Sequence, residues 1–214
     1  MNKIVLLFIT TFLFGFNSNQ ITATIISTNN IEAIINKPIQ KGYSGYIIQN
    51  NKIIAKAIVK TKNKIKYLPF KKLKNPALAN LKVLPQKGDK IIFGLYNFRG
   101  LIIAPNQKTY IQIQNKYPNI KWLNSDLFAN YFETKPTKED FQNFCNDFNI
   151  GIVDFVLDKE YIVDCNSFES LESLDTKKID YNKPFFSSYS KFPSNFFSSP
   201  PKNWIKYYKS LIKG

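Results

Sequence analysis

This 214-residue sequence contains no histidine, so its carboxylates are the first candidates for acid–base chemistry. Without imidazole, the Ser-His-Asp and Cys-His arrangements and the zinc sites that need histidine are excluded. Paired carboxylates hydrolyse glycosidic bonds when they face each other across a cleft. The candidates include Glu139, Asp140, Asp154 and Asp164. Glycan hydrolysis through Asp and Glu is therefore the enzymatic alternative that stays open.

Other catalytic and cofactor motifs are missing from the sequence. It contains no P-loop, no GxGxxG, no GxSxG and no calcium loop of the DxDxDG kind. Acids on helices and hairpins usually form solvated faces. We therefore expect a non-enzymatic binding or structural domain, with no catalytic residue, no cofactor and no metal.

The first sixteen residues have the pattern of a secretion signal. Lys3 supplies a positive charge, and the apolar run Ile4 to Phe16 follows it. A run of this length is too short to cross a bilayer as a helix, which takes about 20 residues. We predict a signal peptide over residues 1–20 and export to the periplasm or cell surface, with an uncleaved anchor as the alternative.

Export changes the interpretation of the two cysteines, Cys145 and Cys165. In an oxidising compartment they are a candidate disulfide, which would close a loop of about twenty residues and contribute roughly 3 kcal/mol. Two buried free thiols are the alternative. A catalytic thiol would need a group that stabilises the thiolate, and no histidine is present to do so.

The net charge of +15 is divided unevenly along the chain. Residues Lys52 to Lys90 include twelve lysines and one acid, whereas Asp126 to Asp180 include thirteen acids and five lysines. Of the 30 basic residues only Arg99 is arginine, the residue that commonly reads phosphates and guanine edges. This pattern predicts solvated lysine faces with weak binding to anionic surfaces, and no specific nucleic-acid binding.

The first half of the chain has the pattern of short β-strands, and we assign residues 21–104 to one β-barrel-like lobe. The pair Asn50-Asn51 between two apolar runs is typical of a tight hairpin turn. Five or more such strands close most readily into a small antiparallel barrel or roll. The predicted strands are Ala23 to Ser27, Asn30 to Asn36, Gly45 to Gln49, Lys52 to Lys60, Ile91 to Tyr96 and Leu101 to Ala104.

The second half mixes helices and strands, so residues 105–180 form an α/β lobe and the fold class is α+β. Thr137 and Asp140 have the spacing of a capping box, and an apolar helix face follows. Ser125 is a candidate N-cap for an earlier helix. A β-hairpin is predicted from Ile152 to Leu157 and Glu160 to Asp164. A further helix, Lys108 to Lys116, and a strand, Ile120 to Leu123, precede these elements.

Residues 181–214 have a different composition. Lys183 to Pro201 alternates phenylalanine pairs with serine and proline, which predicts an extended strap across the domain. Apolar side chains then recur at helical spacing from Trp204 to Leu211, with lysines between them. This short helix docks on the domain or contacts a membrane or partner. Its candidate partner-binding residues are Lys206, Lys209 and Lys213.

Several segments in order resemble one known family, the N-terminal domain of the bacterial plasminogen-binding protein PgbA. The match is strongest from about residue 85 to the end. The matching segments are Lys87-Gly88-Asp89 before Ile91-Ile92-Phe93, Leu101 to Asn106, Tyr110, Asn124 to Leu127, Cys145, Gly151-Ile152, Cys165 to Glu169, Pro184 to Ser187 and Tyr207-Tyr208.

The resemblance implies an exported domain of the cell envelope or surface, with no enzymatic activity known for the family. The matched cysteines favour the disulfide over free thiols. Family members of the plasminogen-binding type carry a long charged tail that ends in lysine, and plasminogen capture is attributed to that lysine. The sequence here ends at Gly214 without such a tail. We therefore expect a protein or envelope partner, with plasminogen bound weakly or not at all.

Overall fold

The computed structural model describes residues 16–69, 83–132, 135–176, 179, 181, 183–189 and 200–212. The fold is α+β, as predicted, with a closed antiparallel barrel and a separate five-stranded mixed sheet. Residues 1–15 of the predicted signal peptide lie outside these ranges. No helix in the described part of the chain is long and apolar enough to cross a membrane.

Six strands close the barrel in the order β1-β2-β5-β4-β3-β6. Most of their buried side chains are small or branched, among them Ala57 and Ile65, which lets a narrow barrel fill with side chains. The strands are β1 (Ile21–Asn29), β2 (Glu32–Ile35), β3 (Ser44–Gln49), β4 (Lys52–Thr61), β5 (Lys64–Pro69) and β6 (Lys90–Phe93).

The hairpin between β3 and β4 turns where the sequence predicts it. Asn50 and Asn51 both have positive φ, 49° and 59°, which asparagine tolerates better than most residues. Strand β5 was not among the predicted strands. Its sequence alternates lysine with Ile65 and Tyr67, and Ile65 and Tyr67 are buried in the barrel interior.

The second sheet has the order β11-β10-β9-β7-β8. Strand β7 pairs in parallel with both β8 and β9, and the other pairs are antiparallel. The strands are β7 (Arg99–Ile103), β8 (Lys121–Leu123), β9 (Ile152–Val156), β10 (Lys159–Asp164) and β11 (Ser170–Asp175).

One strand assignment from the sequence is wrong. Leu101 to Ala104 were grouped with the barrel, but β7 lies in the middle of the second sheet. Leu101, Ile102 and Ile103 are completely buried because helices or the barrel cover both faces of the strand. A short apolar run looks the same in sequence whether it belongs to the barrel or to the second sheet. Pairing with β9 places β7 in the second sheet.

The parallel connections carry the helices, as parallel strands require. Helix α1 (Gln107–Lys116) joins β7 to β8, and α2 (Ser125–Tyr131) and α3 (Lys138–Phe148) join β8 to β9. The capping box at Thr137 and Asp140 is confirmed. For α2 the N-cap is Asn124, one residue before the predicted Ser125, because the Asn124 side chain accepts from the Asp126 N–H.

The sheet separates two hydrophobic cores. On one face, Ile102, Ile152 and Ile162 join the barrel interior and α1 in a single cluster. On the other face, Val153 and Phe155 pack with a dense group of aromatic rings from α2, α3 and the final helix. Because successive side chains of a strand point to opposite faces of the sheet, alternate buried residues contribute to different cores.

Phe185 and the final helix of the C-terminal region pack on this second core. Phe185 is completely buried there, and its neighbour Phe186 donates a backbone hydrogen bond to Ala104 O. Helix α4 (Trp204–Leu211) buries Tyr208 completely. The short terminal helix thus docks on the domain. The rest of the predicted strap, residues 190–199, lies outside the described residues.

Candidate functional site

Several buried and half-buried polar side chains meet where the barrel contacts the second sheet, and Asp164 is the one among them that the sequence singles out. Asp164 ends β10, and Cys165 and Asn166 follow it directly. Cys145 and Asn146 lie in α3, with Cys145 and Cys165 joined in a disulfide that has a Cα–Cα distance of 6.0 Å. The predicted disulfide is thereby confirmed, and it staples helix α3 to the end of β10.

Asp164 is the acceptor at the centre of this junction. Ser44, the first residue of β3, donates its backbone N–H and its hydroxyl to Asp164 Oδ2 at 2.9 and 2.8 Å. The N–H groups of Asn166 and Ser167 donate to Oδ1 at 3.0 and 2.9 Å. The carboxyl group is completely buried. Burial raises its pKa, and the four hydrogen bonds oppose that rise by stabilising the charged form.

Lys56 extends the junction from the outer face of β4. Its ammonium donates to Asn166 Oδ1 at 2.9 Å and also to Asn146 Oδ1. The two acceptors each follow a disulfide cysteine, so the disulfide holds them side by side. Burial lowers the pKa of Lys56, and the negative charge of Asp164 acts in the opposite direction. The Lys56 ammonium therefore makes intramolecular hydrogen bonds that link the barrel to the disulfide region.

A second buried aspartate, Asp154, lies on the same face of the sheet. Residues paired across neighbouring strands share a face, and Asp154 pairs with Ile162, which pairs with Glu172. Asp154 is completely buried, and neither carboxylate oxygen has a hydrogen-bond partner among the described residues. Burial raises its pKa well above the ordinary value, with Glu160 and Glu172 adding to the rise and Lys116 opposing it.

Glu160 completes this acidic face. Lys116 at the end of α1 forms a 2.7 Å salt bridge with it, and the Tyr117 hydroxyl donates to it at 2.6 Å. The Lys116 ammonium also lies 5.0 Å from the centre of the Tyr117 ring. Burial raises the pKa of Tyr117 well above its ordinary value, and the hydrogen bond to Glu160 adds to this. Helix α1 thus closes over Glu160.

This arrangement does not have the form of a glycosidase cleft. Asp154 is 0% exposed and Glu160 is 3% exposed, so a sugar ring has no access to either carboxylate. Glu139 and Asp140 lie elsewhere, in the first turn of α3, where Asp140 serves the capping box. In the described part of the chain, no group of three or more acidic or cysteine side chains could hold a metal ion.

The predicted partner-binding lysines differ from one another in their surroundings. Lys209 forms a 2.7 Å salt bridge with Asp158 and lies 6.0 Å from the Tyr161 ring centre. Lys206 is exposed on the same helix, and the salt bridges of the described residues do not include it. Lys213 lies outside the described residues.

Sequence reasoning missed the junction itself. The signal that could have found it is local: Asp164, Asn166 and Ser167 have the spacing of a turn in which a carboxylate accepts nearby backbone N–H groups. The partner on the barrel, Ser44, has no such signal, because it is 120 residues away in sequence.

These features define a disulfide-stapled α+β domain in which barrel and sheet are joined by buried polar contacts. A family model described as "Plasminogen-binding protein pgbA N-terminal" matches residues 20–212. The chain therefore belongs to the family of PgbA N-terminal domains, as the resemblance in sequence implied. The match covers both lobes and the described C-terminal helix.

Two curated relatives carry the name plasminogen-binding protein PgbA, from Helicobacter pylori strains J99 and 26695. Each is 30% identical over 182 residues, which is 79% of this chain and 40% of the relative. The chain thus spans about two fifths of the length of these relatives. No solved structure matches it.

Proposed function

We propose that this chain is an exported, non-enzymatic domain of the bacterial cell envelope that binds a protein partner. The observation that carries the proposal is the family match across residues 20–212, because it includes every element of both lobes. The relatives are named as plasminogen-binding proteins, so plasminogen is the partner to test first, and the proposal of binding replaces the weak or absent binding expected from the sequence.

The placement of the carboxylates supports a binding domain over a glycan hydrolase. Asp154 and Asp164, whose pKa values are raised by burial, are completely buried, and Glu160 is held by Lys116 and Tyr117. An enzyme of the glycosidase type needs two carboxyl groups that reach the substrate from opposite sides. The acids of this face instead lie between the sheet and the elements that cover it.

Exposed lysines are the groups that the fold offers to plasminogen, whose lysine sites pair an ammonium with opposite charge. Lys206 is the better placed of the two described candidates, because Lys209 is already engaged with Asp158. We therefore expect Lys206→Ala to weaken binding more than Lys209→Ala does. Lys213 stays a candidate by its position in the sequence.

Surface plasmon resonance with immobilised plasminogen and the full chain tests the proposal. The expected result is saturable binding that a soluble lysine analogue competes away and that Lys206→Ala weakens. The matched control is Lys108→Ala, an exposed lysine at the start of α1 that should leave binding unchanged. Absence of saturable binding to plasminogen, or equal loss with both variants, would count against the assignment. Release of sugars from envelope glycan by the wild-type chain would establish the hydrolase instead.

A further inference from the structure

Four aliphatic side chains are exposed on neighbouring parts of the barrel wall. The exposed fractions are 47% for Ile26, 52% for Ile31, 48% for Ile34 and 43% for Leu68. Ile26 faces outward because it follows the buried Ile25 in the strand, and the pairing of β1 with β2 shifts between Ile25 and Ser27, so Ile26 has no partner on β2. These four residues, with the lysines described next, are called the barrel face.

The backbone pairing shows how the residues of the barrel face are arranged. Ile34 pairs with Ser27 on one side and with Lys64 on the other. Ile31 accepts a backbone hydrogen bond from Tyr67, the residue next to Leu68. A surface hollow of about 240 Å³, lined in part by Ile34 and Lys64, opens between these strands. Ile26 and Ile34 therefore lie toward one end of this face and Ile31 and Leu68 toward the other, with Glu32, which pairs with Lys66, between them.

Four lysines lie on one side of these aliphatic residues. Lys64 and Lys66 lie on β5, and Lys60 and Lys62 lie at the adjoining hairpin end. Residues 21–69 include eight lysines and a single acid, Glu32, which forms a 2.7 Å salt bridge with Lys64. The barrel face thus combines exposed aliphatic groups with excess positive charge.

We propose that the barrel face docks on an anionic lipid bilayer. The isoleucine and leucine side chains enter the boundary between headgroups and acyl chains, and the lysine ammoniums contact lipid phosphates. Lysine suits this role because its stem extends along apolar surroundings while the charge stays at the headgroup level.

The composition of the face favours lipid over a macromolecular partner. Protein interfaces concentrate binding energy in tryptophan, tyrosine and arginine, and the barrel face is built from isoleucine, leucine and lysine. Nucleic-acid readout relies on arginine, and Arg99, the one arginine of the sequence, lies in the second sheet.

The charge distribution also orients the molecule. Residues 105–214 include thirteen acids and fourteen lysines, so the net charge there is close to zero, whereas the barrel residues 21–69 carry an excess of lysine and are attracted more strongly to an anionic surface. The barrel therefore lies against the bilayer, and much of the second lobe points away from it. Docking of this kind uses residues distinct from Lys206 and Lys209 and is independent of the plasminogen test.

Vesicle flotation with the full chain tests the proposal. Vesicles of phosphatidylcholine mixed with phosphatidylglycerol should carry the protein to the top of the gradient, and phosphatidylcholine alone should not. Two double variants, Lys60→Glu with Lys62→Glu and Ile31→Ser with Ile34→Ser, should each reduce the vesicle-bound to free ratio by at least about tenfold.

Matched controls lie on the second lobe. Lys108→Glu with Lys121→Glu reverses two exposed lysines there, and Ile111→Ser with Leu127→Ser removes two aliphatic groups that are 45% and 49% exposed. Both controls should float like wild type, and circular dichroism should show every variant folded. The proposal is overturned by equal binding to both vesicle types, by no flotation, or by controls that lose binding equally. Flotation unaffected by the isoleucine variants, or capture of a protein by this face without flotation, would also overturn it.

Discussion

Asp154 and Asp164 lie on one face of one sheet, and both are completely buried, but their surroundings are opposite. Asp164 accepts four hydrogen bonds at the edge of the barrel. Asp154 accepts none from the described residues and has Glu160 and Glu172 nearby. The comparison shows that burial alone does not decide whether a carboxylate stabilises the fold. The hydrogen-bond donors around it decide whether its contribution to the free energy of unfolding is positive or negative.

The largest effect is expected where the donors are. Asp164→Ala leaves four donors without their acceptor, two of them on Ser44. Because each unpaired buried donor costs about 1–3 kcal/mol, the free energy of unfolding should fall by at least about 3 kcal/mol. Urea denaturation at neutral pH measures this. Asp164→Asn keeps one acceptor oxygen and should lose less; a loss below about 1 kcal/mol for Asp164→Ala would break the comparison.

Removal of the disulfide should come next in size. Cys145→Ser with Cys165→Ser frees a loop with a sequence separation of 20, for which chain entropy predicts about 3 kcal/mol. Since Cys165 directly follows Asp164, the loss should be non-additive with Asp164→Ala. The same cysteine change combined with Asp154→Asn serves as the reference and should add within about 0.5 kcal/mol. Urea denaturation of the single and combined variants distinguishes the two cases.

At the other buried acid the opposite sign is expected. Asp154→Asn removes a carboxylate that accepts no hydrogen bond from the described residues, so stability at neutral pH should rise by about 1 kcal/mol or more. The control is Asp175→Asn at the end of β11. The Asp175 side chain is 89% exposed, so this substitution should change stability little. Destabilisation by Asp154→Asn under the same denaturation conditions would mean that the carboxylate has a stabilising partner.

The same variant should change the pH dependence of stability. With its pKa raised above the ordinary 3.8, Asp154 holds a proton in the folded state that the unfolded chain has released. Its contribution therefore favours folding at low pH and is lost as pH rises from about 4 through the folded pKa. Stability of wild type relative to Asp154→Asn should fall across that window. A difference that stays constant with pH would show that the carboxyl group titrates normally.

The smallest effect is expected at an exposed charge pair. Lys209 and Asp158 have side chains that are 44% and 45% exposed. Solvent screens such pairs, so Lys209→Ala should cost about 0.2–1 kcal/mol, read from the same denaturation curves. Lys206→Ala on the same helix is the control and should cost less. A cost of several kcal/mol would mean that α4 depends on this pair and not on the burial of Tyr208.

Local spacing let the sequence predict much of the secondary structure. The capping box of Thr137 and Asp140 and the turn at Asn50-Asn51 depend on neighbours within a few residues. The matched cysteines, together with export, indicated the disulfide. Export, the leader and the surface that binds a partner stay predictions.

Tertiary structure alone decided how the chemistry-bearing residues are used. Asp154 and Asp164 look alike in sequence, since both are acids in short apolar strands, yet Ser44 reaches only one of them. Lys56 belongs to a lysine-rich run but is bound by two asparagines brought together across the disulfide. Strand β7 joined the second sheet because β9 pairs with it. In each case the deciding partner is distant in the chain. A periodic pattern predicts which face of a strand a residue lies on, but it does not predict which residue of another element contacts it.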